Sequence, residues 1–432
     1  MSDVTINVEH LTRVEGHGNI IINAKKGKVE KVLWEVSEAP RFFEAFVREK
    51  PYDQLAQITS RICGICSIGH SLASLKATEE AMNIEISEQS KKIRRLAIHG
   101  ENMQSHILHI GYLVAPDLFN VGSVFPLIKS HPAVVKKIIY LHRLANEFSD
   151  LICGRTTHPI NLVVGGIFKA PSPSKLQDIR QKLLDGIPTV KSVAEVVLKN
   201  ASALPDFKRE TEYIALSAKD EYALYDGYLN STDTGVFSDY MNYQKMTNEY
   251  VVPQSTAKYT KHKRKSYMVG ALARFNLNSK QLHPLAKEVA DMFSLKAINY
   301  NPYMNTIAQL VEFTHSIQDS VELIDMLLEK GICIEKPAEF KVKAGRGVGL
   351  VEVPRGLLIH DYTYNSKGYC TKANCIIPTN QNHANIQHDM EEMVPQIIDK
   401  PAKDIELSLE MLVRAYDPCI SCSTHYLTVK FV

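Results

Sequence analysis

Two Cys-x-x-Cys pairs, Cys63/Cys66 and Cys419/Cys422, stand near opposite ends of a 432-residue sequence. A two-residue spacer at a turn or a helix start lets both sulfurs of a pair face one metal, so two pairs offer four soft thiolates to a single site. If they share that site, both chain ends must meet in the core, a demand that restricts the fold more than any other feature. Spacing alone leaves a structural zinc, an iron-sulfur cluster and a catalytic metal open. Zinc pairs usually lie much closer together, inside a small ribbon. These two are embedded in helical sequence, which favours a catalytic metal that organises the whole core. Eight cysteines in all are far too few for a disulfide-rich secreted scaffold.

Charge and hydropathy narrow the partners. Fifty Lys and Arg against 48 Asp and Glu leave a formal charge of +2, which encodes no attraction toward nucleic acid or an anionic membrane surface. No run of about 18 apolar residues occurs, so no direct membrane insertion is expected. The start, MSDVTINVEHLTRVEG, lacks an apolar segment and a cleavage site. The expectation is a chain without an export address, placed in the cytoplasm.

Periodicity predicts a mainly α protein with small β elements. Residues 4 to 9 and 19 to 36 alternate apolar and polar positions around Lys26-Gly27, which reads as an N-terminal hairpin within about 1–50. Helical spacing then runs over Ile68–Met82, Ser87–Val114, His131–Ile152 and Ser174–Lys199, and resumes near His283 and over Asn305–Lys330. A helical core at about 53–200 and 280–335 thus flanks an irregular lobe at about 203–279, rich in Tyr, Asp, Asn and Gly. Short strands and the second cysteine segment fill about 340–432, with a last helix near Asp404–Val413. With no repeat and no flexible linker in sight, residues 1–432 read as one domain.

The motifs around the cysteines are specific. Arg61-Ile62-Cys63-Gly64-Ile65-Cys66 continues to His70, and Arg414-Ala415-Tyr416-Asp417-Pro418-Cys419-Ile420-Ser421-Cys422 continues to His425. Both resemble the signatures of nickel-iron hydrogenase large subunits. So do Arg13-Val14-Glu15-Gly16-His17, Gly154-Arg155 with His158-Pro159, Glu352 with Pro354-Arg355-Gly356, and Pro378-Thr379 with Asn382. Several motifs in the family's order across nearly the whole chain carry weight that none carries alone.

The resemblance implies the large-subunit fold, a helical core with an N-terminal hairpin and peripheral strands, and reversible oxidation of hydrogen. It implies Cys63 and Cys419 as terminal nickel ligands, with Cys66 and Cys422 bridging nickel to an iron that carries carbon monoxide and cyanide. Glu15 would relay a proton from a terminal thiolate. Arg355 would hang over the open side of the metals and hold Asp417 by a two-pronged ion pair. Pro378 and Thr379 would meet an iron-bound cyanide, and His70 would donate to a bridging thiolate. Glu44 and His425 would ligate a magnesium, or iron, near the C-terminus. Ser105 stands where many relatives carry Asp, which puts their outer carboxylate pair in doubt.

The implied partners are an iron-sulfur small subunit, further electron-transfer subunits of diaphorase, deazaflavin-reducing or heterodisulfide reductase type, and a maturation protease and nickel chaperones. The short chain, Arg41-Phe42-Phe43-Glu44 and the short tail resemble the cytoplasmic, cofactor-coupled branch of the family, whose precursors are cut after the residue matching His425. A non-catalytic scaffold of the same fold and a zinc-stabilised interaction protein remain rivals; retention of all four cysteines argues against the first. Cys153, Cys333, Cys370 and Cys375 read as core thiols. His99, His106 and His109 read as core hydrogen-bonding residues, and the five basic residues of Lys258–Lys265 as a solvated loop or partner-facing edge.

Overall fold

Glycines and alanines in register set the centre of the molecule, seen in a computed structural model that describes residues 4–8, 11–25 and 28–424. Three strands form an N-terminal antiparallel sheet: β1 (Val4–Val8), β2 (Gly18–Lys25) and β3 (Lys28–Val36). The expected hairpin is the β2–β3 pair, and β1 adds a third strand to it; the turn at Lys26-Gly27 lies outside the described residues. Helices follow: α1 (Ser67–Met82), α2 (Glu88–Leu108), α3 (Pro132–Cys153) and α4 (Pro173–Asn200). Ser87 caps α2 by accepting the Ser90 amide at 3.0 Å, and Gly154, at φ +75°, ends α3 in the left-handed conformation that glycine tolerates best. A single π-helical turn, His109–Val114, carries α2 onward to the end of the predicted span.

The lobe after α4 carries a four-stranded sheet, ordered Tyr267–Met268, Glu212–Ser217, Tyr228–Ser231 and Gly235–Phe237. It closes earlier than its composition implied, because Ala271–Asn278 is already helix α5. Helices α6 (Pro284–Met292) and α7 (Met304–Lys330) come next, then the antiparallel strands β4 (Gly345–Val353), β5 (Gly356–Tyr364) and β6 (Cys370–Ile376). Helices α8 (Pro378–Ile397) and α9 (Ala402–Ala415) lead to the second cysteine pair. One continuous apolar cluster takes in residues from Ile6 to Cys422.

Helix α1 lies directly on strand β4. A Cβ at Gly345, Gly347 or Gly349 would stand 2.0–2.1 Å from the carbonyl oxygens of Ala81, Ala77 and Ala73 respectively. The register is a consequence of geometry: four residues of helix rise about 6 Å, and two residues of strand advance about 6.7 Å. Alternate glycines therefore track every fourth helical residue. The same contact ends at Gly69, whose Cβ would meet Val353 Cγ1 at 2.1 Å. This brings the Cys66 end of α1 to the β4–β5 turn, where Val353 pairs with Gly356 and Pro354-Arg355 form the two-residue loop.

Helix α8 was not anticipated from the sequence. Its buried face includes Gln381, Asn382 and Gln387, so no apolar stripe marks it. These amides complete backbone bonding at strand edges. Gln381 Nε2 donates to Leu357 O at 2.6 Å, Asn382 Oδ1 accepts the Val269 amide at 2.9 Å, and Gln387 accepts from Trp34 N and donates to Val32 O.

Candidate metal centre

The two chain ends are joined by buried charge. Asp117 accepts from Arg414 through both carboxylate oxygens, at 2.8 and 3.0 Å, and from Arg13 at 2.6 Å. Arg414 precedes the second cysteine pair and Arg13 precedes Glu15, so one carboxylate clasps the first and last segments of the core. A buried cation with one partner removed is costly, by about 3–5 kcal/mol, which makes this clasp a strong positional constraint. Beyond it, the Ile420 amide donates to Glu15 O at 2.9 Å, and Glu15 pairs with Cys419 in an isolated parallel bridge.

Cys63, Cys66, Cys419 and Cys422 converge there. Their sulfurs all lie within 4.8 Å of one another, and all four residues are buried. Cys63 Sγ is 3.5 Å from Cys419 Sγ, and the Cys66 amide donates to Cys63 Sγ at 3.4 Å. Hydrogen bonds from the neighbouring thiols, Cys419 first, pull the Cys63 thiol well below its ordinary pKa, whereas burial pushes Cys419 and Cys422 well above theirs. Four buried sulfurs of this kind repel a second and third negative charge unless cations replace the protons. Soft donors, enclosure and proximity thus fit thiophilic transition metals.

Around the sulfurs, the remaining predicted residues fall at stated places. Arg355, at the β4–β5 turn, donates Nε to Asp417 O at 2.7 Å and Nη2 to Asp417 Oδ1 at 2.9 Å. The expected two-pronged ion pair is therefore half ionic, because the second prong goes to the main-chain carbonyl. Asp417, at φ +50°, turns that carbonyl to Arg355 and its Oδ2 to Gln309 Nε2 at 3.0 Å. Ser105 accepts a long 3.4 Å bond from Arg355 Nη1. Thr379 Oγ1 accepts the Cys419 amide at 3.0 Å, and Pro378 starts α8 beside it, buried. Glu15, half-buried, accepts the Ser421 amide through Oε2 at 3.1 Å.

His70 is buried on α1 and its Nδ1 meets His360 Nε2 at 3.1 Å; His360 in turn meets Tyr362 OH at 2.6 Å. Burial pulls the His70 imidazole down to about 4. Glu44 is buried, accepts the Cys375 amide at 2.8 Å, and is pushed by burial up to about 7. His425 lies outside the described residues, as does the bond after it.

Sequence reasoning missed Glu101. Its Oε2 accepts the Ile68 and Gly69 amides at 2.7 and 2.9 Å, capping α1 from the side of α2 and so fixing the loop that carries Cys66. A carboxylate within the buried face of α2 was the available signal. His106 and His109 bond to Glu312 and Gln309 within the core, as expected. Two other expectations change. Cys333 is exposed, not a core thiol. Of the basic run, Lys258 is buried against Glu249, and His262 and Arg264 pair with Glu212 and Asp233, because the acidic residues of the lobe fold over them.

Comparison with known proteins agrees with this geometry. The sequence matches the family described as nickel-dependent hydrogenase over residues 41–139 and 219–425, and a HoxL-like description over residues 5–39. It is 30% identical over 421 residues to the alpha subunit of sulfhydrogenase 1 from Pyrococcus furiosus, covering 97% of each chain. It is likewise 30% identical to a chain of the F420-non-reducing hydrogenase of Methanothermobacter marburgensis, over 98% of this chain and 95% of that one. The crystal structure of an NAD+-reducing [NiFe]-hydrogenase in the H2-reduced state superposes with a TM-score of 0.87 at 26% identity, covering 98% of this chain and all of that one. The clasped ends, the enclosed cysteines and these likenesses lead to one conclusion: the chain belongs to the nickel-dependent hydrogenase family.

Proposed function

We propose that this chain is the subunit of a nickel-iron hydrogenase that carries out reversible oxidation of H2 to protons and electrons. The observation that carries the reading is the convergence of four buried thiolate donors from both ends of a chain of this family. Cys63 and Cys419 would hold nickel terminally, and Cys66 and Cys422 would bridge it to iron. Such a pair, with carbon monoxide and cyanide on iron, supplies a site for heterolytic cleavage of hydrogen when bound.

The chain's own residues do the rest. Arg355 holds a positive charge in place through Asp417, whose other oxygen is anchored by Gln309. A fixed charge in a site closed to water acts far more strongly than one in solvent. Glu15 would take the proton from a terminal thiolate: its main chain pairs with Cys419, and its carboxylate is held by the Ser421 amide between the two cysteines. Thr379 accepts the Cys419 amide with its oxygen, so its hydroxyl hydrogen would be available to donate to an iron-bound cyanide. Pro378 would line that ligand, and His70, paired with His360, would tune a bridging thiolate from behind. Glu44 and His425 would hold a magnesium ion; its support is the 2.7 Å bond from the Arg41 amide to Thr424 O, which brings the residue before His425 to the segment of Glu44.

Among the described residues these cysteines form the one cluster of thiols able to hold a metal, so electrons would leave through a small subunit bearing iron-sulfur clusters. Diaphorase, deazaflavin-reducing or heterodisulfide reductase subunits would follow, and a protease and nickel chaperones would act during assembly. A cytoplasmic location belongs to this reading; its support is the likeness to an NAD+-reducing enzyme, whose acceptor is a soluble cofactor. No helix among the described residues is long and apolar enough to cross a membrane. An infrared spectrum of the purified complex tests the reading. Iron-bound carbonyl and cyanide bands, absent from protein, are expected; zinc without nickel, and no such bands, would overturn it in favour of a zinc-stabilised interaction protein.

A further inference from the structure

Away from the cysteines, one other group of metal-binding side chains converges among the described residues. One donor atom each of His283, His315 and Asp319 lies within 4.8 Å of the other two. His283 immediately precedes α6, and His315 and Asp319 stand one turn apart on the same face of α7. Two imidazoles and a carboxylate are a donor set suited to zinc and its neighbours, which leaves further positions for water.

The outer contacts are those that orient metal ligands. Asp319 turns Oδ1 to His283 Nε2 at 3.0 Å, while Oδ2 is held by His99 Nε2 at 2.6 Å and by Arg95 at 3.4 Å. Arg95 is itself neutralised by Glu221 at 2.9 Å. The far nitrogen of His283, Nδ1, faces Glu322 at 3.8 Å, the carboxylate-histidine arrangement that raises a ligand's basicity. His315 is buried, with its ring centroid 4.8 Å from that of His283, and its Nδ1 accepts the His283 amide across a long 3.3 Å. That contact makes Nδ1 the accepting nitrogen of His315 and turns it to the side of His283.

Ion pairing accounts for His99, His283 and Asp319; His315 adds a third donor, buried on α7 and turned toward the same two residues, whose Nδ1 holds only the long amide contact and is thus placed to close with them on one cation. Donors about 2.0–2.1 Å from zinc stand roughly 3.3 Å apart, so atoms now up to 4.8 Å apart must close by as much as about 1.5 Å. His283, at a helix start and partly exposed, has the freedom to do so.

We propose that His283, His315 and Asp319 bind a divalent zinc-like cation, with His99 positioning the carboxylate and Glu322 the His283 ring. The ion ties the start of α6 to α7 and, through His99, to α2. It is independent of the cysteine centre. The test uses the purified complex, cleared of loosely held metal with a mild chelator and titrated with zinc against a chromogenic competitor.

The wild type is expected to take up one zinc per chain that His283→Ala does not, while nickel content and H2 oxidation stay unchanged. Glu322→Ala, a surface substitution that leaves folding intact, should weaken that uptake about tenfold. Absence of such zinc in the wild type, or uptake unaltered in both variants and hence adventitious, would overturn the site and leave an ion-pair cluster. If His283→Ala does not assemble, the tenfold change in Glu322→Ala decides alone.

Discussion

The two cysteine pairs reach the same place by different physics. Cys63 and Cys66 ride on regular structure: α1 starts directly after Cys66, packs along β4 through the Gly345, Gly347 and Gly349 contacts, and is capped by Glu101. His158 adds a brace, donating its amide to Ser67 Oγ at 2.8 Å and meeting Ser60 O with Nδ1 at 3.0 Å. Cys419 precedes, and Cys422 lies within, a four-residue helix, Ile420–Ser423, too short to hold itself. Polar contacts from elsewhere position them: Thr379 to the Cys419 amide, Glu15 to Ser421, and Arg355 with Gln309 to Asp417. The first pair is held by packing and the second by borrowed hydrogen bonds. Damage to the first should therefore appear in global stability, and damage to the second in metal retention and turnover.

The largest effect should ignore that distinction. Cys66→Ser and Cys419→Ser are each expected to abolish activity and nickel binding, because a hydroxyl is too hard a donor to replace thiolate. Cys333→Ser, at an exposed thiol, should change neither. Full turnover with nickel retained in Cys419→Ser, read by H2 uptake and elemental analysis, would break the four-thiolate assignment.

Glu15→Gln comes next, with an expected loss of turnover of roughly 10³-fold. The amide oxygen can still accept the Ser421 N–H, so the second pair stays in place, yet the side chain can no longer cycle a proton. Deuterium gas in ordinary water should cease to exchange while ortho-para hydrogen conversion continues. Exchange at the wild-type rate would make Glu15 a purely structural partner of Ser421.

Arg355→Lys should lower turnover about 10²-fold with folding kept, since one ammonium cannot reproduce both the Nε and Nη2 bonds to Asp417. Unchanged turnover would show that charge alone suffices there. Gly347→Ala strikes the packing of the first pair. Its Cβ would stand 2.1 Å from Ala77 O, and separating α1 from β4 should cost about 3 kcal/mol, read as a lower melting temperature together with poor nickel loading. A normal melting curve would remove packing as the device that holds the first pair.

Thr379→Val should have the smallest effect. It leaves the Cys419 amide unpaired at a cost of about 1–3 kcal/mol confined to the C-terminal segment. Nickel retention should drop with little change in melting, and Thr379→Ser should restore it.

The same contrast governs what the sequence disclosed. Helices α1 to α4 and α7 carry an apolar period, so their spans were legible to within a few residues. Helix α8 was not, because Gln381, Asn382 and Gln387 face inward to serve strand edges and erase the period. The cysteines were legible as a set, since two spaced pairs of soft donors have few other uses. The contacts that position Cys419 and Cys422 were not: Gln309 and Asp117 become neighbours of the centre only through the tertiary fold, and no local pattern marks them. That Arg355 holds Asp417 by one carboxylate oxygen and one carbonyl depends on the positive φ of Asp417, a backbone choice its sequence neighbours do not announce.

Whether four thiolates, two from each cysteine pair, surround one nickel is read by X-ray absorption at the nickel edge of the purified complex. The expected spectrum shows a first shell of sulfur with an iron neighbour, and no nickel edge in either Cys63→Ala or Cys419→Ala. A shell of nitrogen and oxygen in the wild type, or a nickel edge that survives in either variant, would contradict the four-thiolate centre.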